Sequence, residues 1–222
     1  MFAIPGQAIQ TWMDTLAQSV ALAPEHISFY SLQIEEGTPF YDLFREGSLK
    51  AVGDELDREM YHKAVNMLKN EGYVHYEISN AAREGYRCRH NLKYWSMDDY
   101  LGLGLGAHSF LNETRFGNIT DLKAYIEAGR QDHSRTGSPF IQWRHENTRE
   151  ENISEYLFTG MRRISGIDLA DFKERFGVSL NSLHGRVLEN YRESGMIEIA
   201  DGRLRFTGKG IDLSNRVLAE FV

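Results

Sequence analysis

A short segment in the middle of the chain carries the side chains best suited to hold a metal or a flat cofactor. An imidazole, an amide and two large aromatic rings fall within six positions, at His90, Asn91, Tyr94 and Trp95. A neutral imidazole nitrogen is a common ligand of haem iron, and aromatic rings form flat apolar walls. A histidine beside aromatic residues can equally be a hydrogen-bonded structural residue. Cys88 could be a second ligand, although we expect a small buried hydrophobic residue there.

A glycine-rich run follows this segment. Gly102, Gly104 and Ala107 match the loose G-x-G-x-x-A spacing of dinucleotide sites. That fingerprint must open a helix, whereas the residues from His108 onward fit a strand. We predict a strand over residues 100–110 whose glycines let a ligand or another backbone approach closely. Close backbone packing without a ligand, or a β-bulge, is the alternative.

An acidic pair, Glu35 and Glu36, lies at the end of a predicted strand. Loops at the carboxyl ends of parallel strands line ligand sites in α/β folds, so the pair could face a site. A solvated turn before a short helix over residues 40–45 is the alternative. The chain has no G-x-S-x-G, H-E-x-x-H or P-loop motif, so serine-hydrolase, zinc-protease and nucleotide-phosphate chemistry have no support.

Composition limits the class of protein. The chain has 222 residues, 41% of them hydrophobic and 26% charged, which is enough for one large domain or two small ones. A single cysteine excludes a disulfide scaffold and a self-contained iron–sulfur protein, and it fits a reducing compartment. The formal charge of −7 disfavours a nucleic-acid surface, and the uncharged run over residues 100–112 is too short to span a bilayer. We expect a cytoplasmic protein with no nucleic-acid partner and no membrane insertion.

Strands and helices alternate in the first 130 residues. Apolar spacing predicts a strand, a helix, a strand, a helix and a strand, at residues 1–4, 8–23, 26–34, 54–71 and 73–78. The first three elements form a βαβ unit, so we expect its two strands to be parallel neighbours. This alternation indicates an α/β fold.

The last part of the chain follows a different pattern. We predict a domain boundary between residues 135 and 136, in a turn-rich stretch. Three helices, a hairpin around Asp201-Gly202 and a terminal helix are predicted at residues 152–163, 169–176, 180–194, 196–206 and 210–221. This order is the winged-helix arrangement, which often binds DNA. Because acidic residues outnumber basic ones here, we predict an α+β packing module instead.

Several motifs resemble one known family. Residues 1–7, Met-Phe-Ala-Ile-Pro-Gly-Gln, resemble the strand and turn D-L-M-F-G-L-P-G-Q of the oxygen-independent coproporphyrinogen III oxidase-like branch of the radical S-adenosylmethionine (SAM) proteins. Residues 35–39, E-E-G-T-P, resemble the loop after the next strand, and residues 90–95 match H-N-x-x-Y-W. The resemblance implies the C-terminal part of a radical SAM barrel, a partial TIM-like barrel with added strands over residues 1–135. A winged-helix-like domain over residues 136–222 would follow.

The resemblance also implies a function and its residues. The H-N-x-x-Y-W motif is typical of the haem chaperones of this branch, which pass haem to an acceptor protein. His90 would then contact haem as a candidate ligand of its iron, with Asn91, Tyr94 and Trp95 shaping the pocket. Oxygen-independent oxidative decarboxylation of coproporphyrinogen III is the alternative function. A third hypothesis makes residues 136–222 a docking module for the partner protein.

The resemblance places further cofactors in a longer parent protein. Gln33 and His108 align with positions that contact SAM, whereas the C-x-x-x-C-x-x-C motif for a [4Fe–4S] cluster would lie upstream of Met1. We therefore expect a C-terminal portion without radical chemistry of its own, whose exposed strand edges favour self-association. Ala3 replaces a glycine of the family, and we expect this change to be tolerated if the backbone there is extended.

Overall fold

The first βαβ unit is present but contains little regular strand. The computed structural model describes residues 1–130 and 138–221. Phe2 precedes helix α1 (Ile9–Ala21) in the chain and Ser31 follows it, and these two residues form a parallel bridge. The Phe2 N–H donates to the Tyr30 carbonyl at 3.0 Å, and Phe2 is fully buried. The predicted parallel neighbours are confirmed at this one bridge.

A three-stranded antiparallel sheet follows. Strand β1 (His26–Ser28) is shorter than predicted, and the short helix α2 (Pro39–Arg45) and the long helix α3 (Asp54–Asn70) come next. Strands β2 (Val74–Glu77) and β3 (Asn80–Ala82) complete the sheet in the order β1-β3-β2. Helices α1 and α3 pack on each other through apolar side chains spaced three and four residues apart, including Trp12, Leu16, Met60, Ala64 and Leu68.

A second antiparallel sheet begins after helix α4 (Arg89–Trp95). Its order is β4 (His108–Leu111), β5 (Thr114–Asn118) and β6 (Ile141–Glu146), and helix α5 (Leu122–Ala128) lies between the last two strands in the chain. The continuous strand predicted over residues 100–110 is wrong. Tyr100 makes an isolated bridge with Phe110, and the glycine-rich residues between them form a loop.

The C-terminal residues adopt the predicted winged-helix order. Helix α6 (Arg149–Gly160), strand β7 (Ile167–Asp168), helix α7 (Leu169–Phe176) and helix α8 (Leu180–Glu193) precede the hairpin of β8 (Ile197–Ala200) and β9 (Arg203–Phe206). Helices α9 (Gly208–Asp212) and α10 (Ser214–Leu218) then cover the core. Asp201 and Gly202 both have positive φ, which is the backbone of the predicted two-residue turn.

The predicted domain boundary between residues 135 and 136 falls within residues 131–137, outside the described residues. Strand β6, which comes after it, pairs with β5, which comes before it. One sheet thus includes chain from both sides of this position, and the division into two domains stays a prediction. Within the described residues, every helix is too short or too polar to cross a bilayer.

The winged-helix elements from α6 onward, which we call the C-terminal unit, are joined to the first sheet by backbone hydrogen bonds. We call this contact the domain seam (residues 76–78 and 162–164). Glu77 and Arg163 form an antiparallel bridge. The Ile78 N–H donates to the Arg162 carbonyl at 3.0 Å, and the Ile164 N–H donates to the Tyr76 carbonyl at 3.1 Å. This seam fixes the C-terminal unit against the end of β2.

Ala3 does not have the extended backbone on which its tolerance was predicted to depend. Its φ is +54°, in the left-handed region, and its side chain is buried. A residue with a Cβ is disfavoured there by about 1–2 kcal/mol. The condition for tolerance is therefore not met, because the chain adopts a conformation here that favours the family's glycine.

We expect Gly102→Ala to destabilise the fold. A Cβ on Gly102 would lie 2.2 Å from the carbonyl oxygen of His108, so the backbone would have to shift. The expected loss in the free energy of unfolding is about 1–3 kcal/mol, measured by urea denaturation. Gly208→Ala is the matched control, because its Cβ would meet nothing within 4 Å. Equal urea midpoints for the two variants would show that the close approach is absent.

Candidate functional site

Helix α4 carries the H-N-x-x-Y-W residues and is positioned at its start by strand β2. The N–H of Cys88, the residue before the helix, donates to the hydroxyl oxygen of Tyr76 at 3.2 Å. That hydroxyl also lies 2.9 Å from Nε2 of His26 on β1. Burial raises the pKa of Tyr76 and lowers that of His26, so both groups stay neutral at pH 7. The start of α4 is thereby tied to the first sheet.

His90 and Tyr94 share one face of α4. They are four residues apart, and their rings meet edge to face with centroids 4.8 Å apart. His90 is exposed, and within the described residues neither of its ring nitrogens has a hydrogen-bond partner. The structure therefore does not support the alternative of a hydrogen-bonded structural histidine. It leaves an accessible imidazole whose orientation is set by an aromatic neighbour.

Tyr94 is itself supported by residues that the sequence did not single out. Its ring meets that of Tyr100 edge to face at 4.5 Å. The guanidinium of Arg115 donates to the Tyr100 hydroxyl at 3.4 Å and makes a two-point ion pair with Glu155 at 2.7 and 2.5 Å. Hydrogen bonding to Glu155 raises the pKa of Arg115. A chain of contacts therefore runs from His90 to helix α6.

No sequence pattern could have revealed these supporting residues. Arg115 and Glu155 are 40 positions apart and meet only because strand β5 packs beside α6. Tyr100 was assigned to a continuous strand, whereas it sits at the base of a loop.

Trp95 faces a different set of neighbours from His90. The guanidinium of Arg162 lies over its ring, 4.6 Å from the centroid, so one face of the indole is covered. Glu77, which is completely buried, lies 3.9 Å from Arg162. Burial is the main cause that raises the pKa of Glu77. Asn91 is half-buried on the same helix. Trp95 therefore anchors α4 to the domain seam.

The residues predicted to contact SAM are exposed and separate. Gln33 follows the bridge at Ser31, and His108 begins β4, where its ring meets Trp143 edge to face at 5.3 Å. Within the described residues, no hydrogen bond or ring contact joins Gln33, His108 and His90. The assignment of Gln33 and His108 to SAM stays a prediction.

The glycine-rich loop folds against its own chain. Another backbone occupies the space beside Gly102, which confirms close backbone packing over ligand approach at that glycine. Ser109 and Asn118 anchor the loop: the Gly102 N–H donates to the Ser109 hydroxyl at 2.9 Å, and the Asn118 amide donates to the Gly104 carbonyl at 2.8 Å.

The remaining candidates do not form a metal site. Residues 1–130 and 138–221 contain no group of three or more histidine, cysteine or acidic side chains able to hold a metal ion. Cys88 is a free, half-buried thiol. Glu35 and Glu36 are exposed, and Glu36 accepts a hydrogen bond from the Tyr41 hydroxyl at 3.0 Å, which agrees with the solvated-turn alternative.

Comparison with known proteins identifies a matching domain family and a similar fold. Residues 147–213 match the HemN C-terminal domain family. The fold resembles that of coproporphyrinogen III oxidase (HemN) from Escherichia coli, described as a radical SAM enzyme, with a TM-score of 0.73 over 99% of this chain and 53% of that one. At 16% identity, this likeness concerns the fold alone. It confirms the predicted α/β fold class.

Two sequence relatives match the chain over its full length. The chain is 36% identical over its full length to the heme chaperone HemW of Bacillus subtilis and 28% identical to that of Lactococcus lactis. It spans 57% of the length of each of these relatives. The chain is therefore similar over its full length to relatives that are heme chaperones.

We expect Tyr100→Ala to loosen the candidate site and Tyr100→Phe to leave it nearly unchanged. Alanine removes the ring that supports Tyr94, which should lower the free energy of unfolding by about 2 kcal/mol. Phenylalanine keeps the ring and loses only the long hydrogen bond from Arg115, so the expected loss is under about 1 kcal/mol. Urea denaturation and the imidazole NMR signals of His90 measure both effects. Equal losses in the two variants would contradict a supporting role for the ring.

Proposed function

We propose that this chain is part of a haem chaperone, which binds haem at helix α4 and passes it to an acceptor protein. The observation that carries the proposal is the exposed imidazole of His90, which makes no hydrogen bond to residues 1–130 or 138–221 and whose ring contacts Tyr94. The sequence relatives that match over the whole chain are heme chaperones, which supports this function over porphyrinogen decarboxylation.

The residues of α4 have distinct roles in this proposal. A neutral ring nitrogen of His90 would bind the haem iron, because an unprotonated imidazole is the form that ligates. Tyr94 and Tyr100 restrict the rotation of that ring and offer an apolar edge to the porphyrin. Asn91 would line the pocket, and Trp95 would fix the end of the helix through Arg162.

Further parts of the proposal concern the whole protein. A [4Fe–4S] cluster and SAM would supply the one-electron chemistry of the family, with Gln33 and His108 contacting SAM in this part of the chain. The winged-helix-like unit would dock the acceptor protein. The lone cysteine is the basis for a cytoplasmic location, and exposed apolar residues such as Met1 and Leu103 are the basis for self-association.

A haem titration of the chain tests the proposal. We expect saturable one-to-one binding, followed by the Soret band, and at least about a tenfold weaker affinity for His90→Ala because the axial ligand is lost. His145→Ala is the matched control, because His145 is also exposed but pairs with Glu151 on another element. Equal affinities for the two variants, or no binding by the unmodified chain, would refute a haem site at His90.

A further inference from the structure

Three buried polar atoms lie near the domain seam, and one of them belongs to the guanidinium of Arg162. Within the described residues, the buried side-chain atoms without a hydrogen-bond partner are Oε2 of Glu77, Nε1 of Trp95 and Nε of Arg162. The Arg162 guanidinium lies over the Trp95 ring, and its Nη2 is 3.9 Å from Oε2 of Glu77. The three side chains belong to β2, to α4 and to the segment after α6, and they lie close together at the domain seam.

Most buried polar atoms in folded proteins have a partner, so this grouping requires an explanation. The other oxygen of Glu77 is satisfied, because it accepts hydrogen bonds from the Ser79 N–H at 3.2 Å and from the Asn80 amide. Within the described residues, Oε2 is therefore the oxygen of this carboxylate that lacks a hydrogen-bond partner. The unpartnered atoms of Trp95 and Arg162 are both N–H donors, and neither nitrogen can accept a hydrogen bond.

The number and type of these groups fit one small ligand. Two donors and one acceptor match a water molecule, whose oxygen accepts two hydrogen bonds and whose O–H donates one. Buried waters typically make about three hydrogen bonds of this kind. Glu77 must then be ionised, because a protonated Oε2 would present a third donor to the water oxygen.

We propose that a buried water joins Glu77, Arg162 and Trp95, and that Glu77 and Arg162 thereby act as positioning residues for helix α4. Glu77 belongs to the first sheet, Arg162 to the HemN C-terminal domain and Trp95 to the H-N-x-x-Y-W motif. The water completes a polar junction among all three. This inference deepens the proposed function and rests on it only where haem binding is concerned.

NMR of the chain labelled with 15N-tryptophan tests the water directly. The chain has three tryptophans, and Trp95→Phe identifies the indole signal of Trp95. We expect cross-relaxation between the Trp95 indole proton and a long-lived water in the unmodified chain. This measurement needs no destabilised variant. A Trp95 indole proton without any such cross-relaxation would overturn the proposal.

Two variants test the positioning role. Glu77→Gln keeps the side-chain size but places an NH2 group where Oε2 accepts, and Arg162→Lys keeps the charge but removes Nε. We expect either change to shift the Trp95 indole signal and to speed the solvent exchange of its proton about tenfold. Glu198→Gln and Arg205→Lys are matched controls, because they alter a Glu–Arg pair between β8 and β9. Trp95 signals that respond to neither Glu77→Gln nor Arg162→Lys would overturn the positioning role.

Haem titration of the same variants separates the two proposals. If the junction positions α4, Glu77→Gln should bind haem more weakly than Glu198→Gln, by a few-fold. Failure of the unmodified chain to bind haem would refute the proposed function, while the NMR result would still decide on the water. Haem affinity equal in Glu77→Gln and Glu198→Gln, despite binding by the unmodified chain, would overturn the role in positioning α4.

Discussion

The contact on which the arrangement of this molecule depends is the domain seam between the end of β2 and residues 162–164. Two backbone hydrogen bonds join the end of β2 to the turn at residues 162–164, and Glu77 lies beside them with no exposure to solvent. Backbone groups buried at such a contact must be paired, so the seam fixes register as well as proximity. Helix α4 lies beside the seam and is positioned by it, because Arg162 of the seam packs on Trp95 of the helix.

The charges at the seam favour specificity over stability. The buried carboxylate of Glu77 and the partly exposed guanidinium of Arg162 lose hydration, and at 3.9 Å their attraction offsets only part of that loss. Removing one partner of such a pair costs about 3–5 kcal/mol, because it leaves the other charge buried alone. The stacking of Arg162 on Trp95 contributes about 1 kcal/mol. An alternative docking of the C-terminal unit would leave these groups unpaired, so the native docking is selected.

Local patterns predicted helices α1 and α3 and the winged-helix order, whereas helices α4 and α5 were not predicted. Helix α3 and the Asp201-Gly202 turn follow from apolar spacing and turn chemistry, which depend on neighbouring residues alone. The glycine-rich loop was mistaken for a strand, because its alternating leucines imitate strand periodicity while Gly102 packs against the backbone of His108. His90 and Tyr94 were found from their spacing. Glu77 and Arg162 are 85 positions apart, and only the tertiary fold brings them together.

Amide hydrogen exchange at the seam tests this account most directly. The amides of Ile78 and Ile164 make the two backbone hydrogen bonds of the domain seam described above. If the seam joins the units as one cooperative structure, these amides should exchange as slowly as those in the centre of β9. Exchange as fast as in exposed loops, while β9 stays protected, would show that the C-terminal unit is not fixed against β2 and would contradict the account.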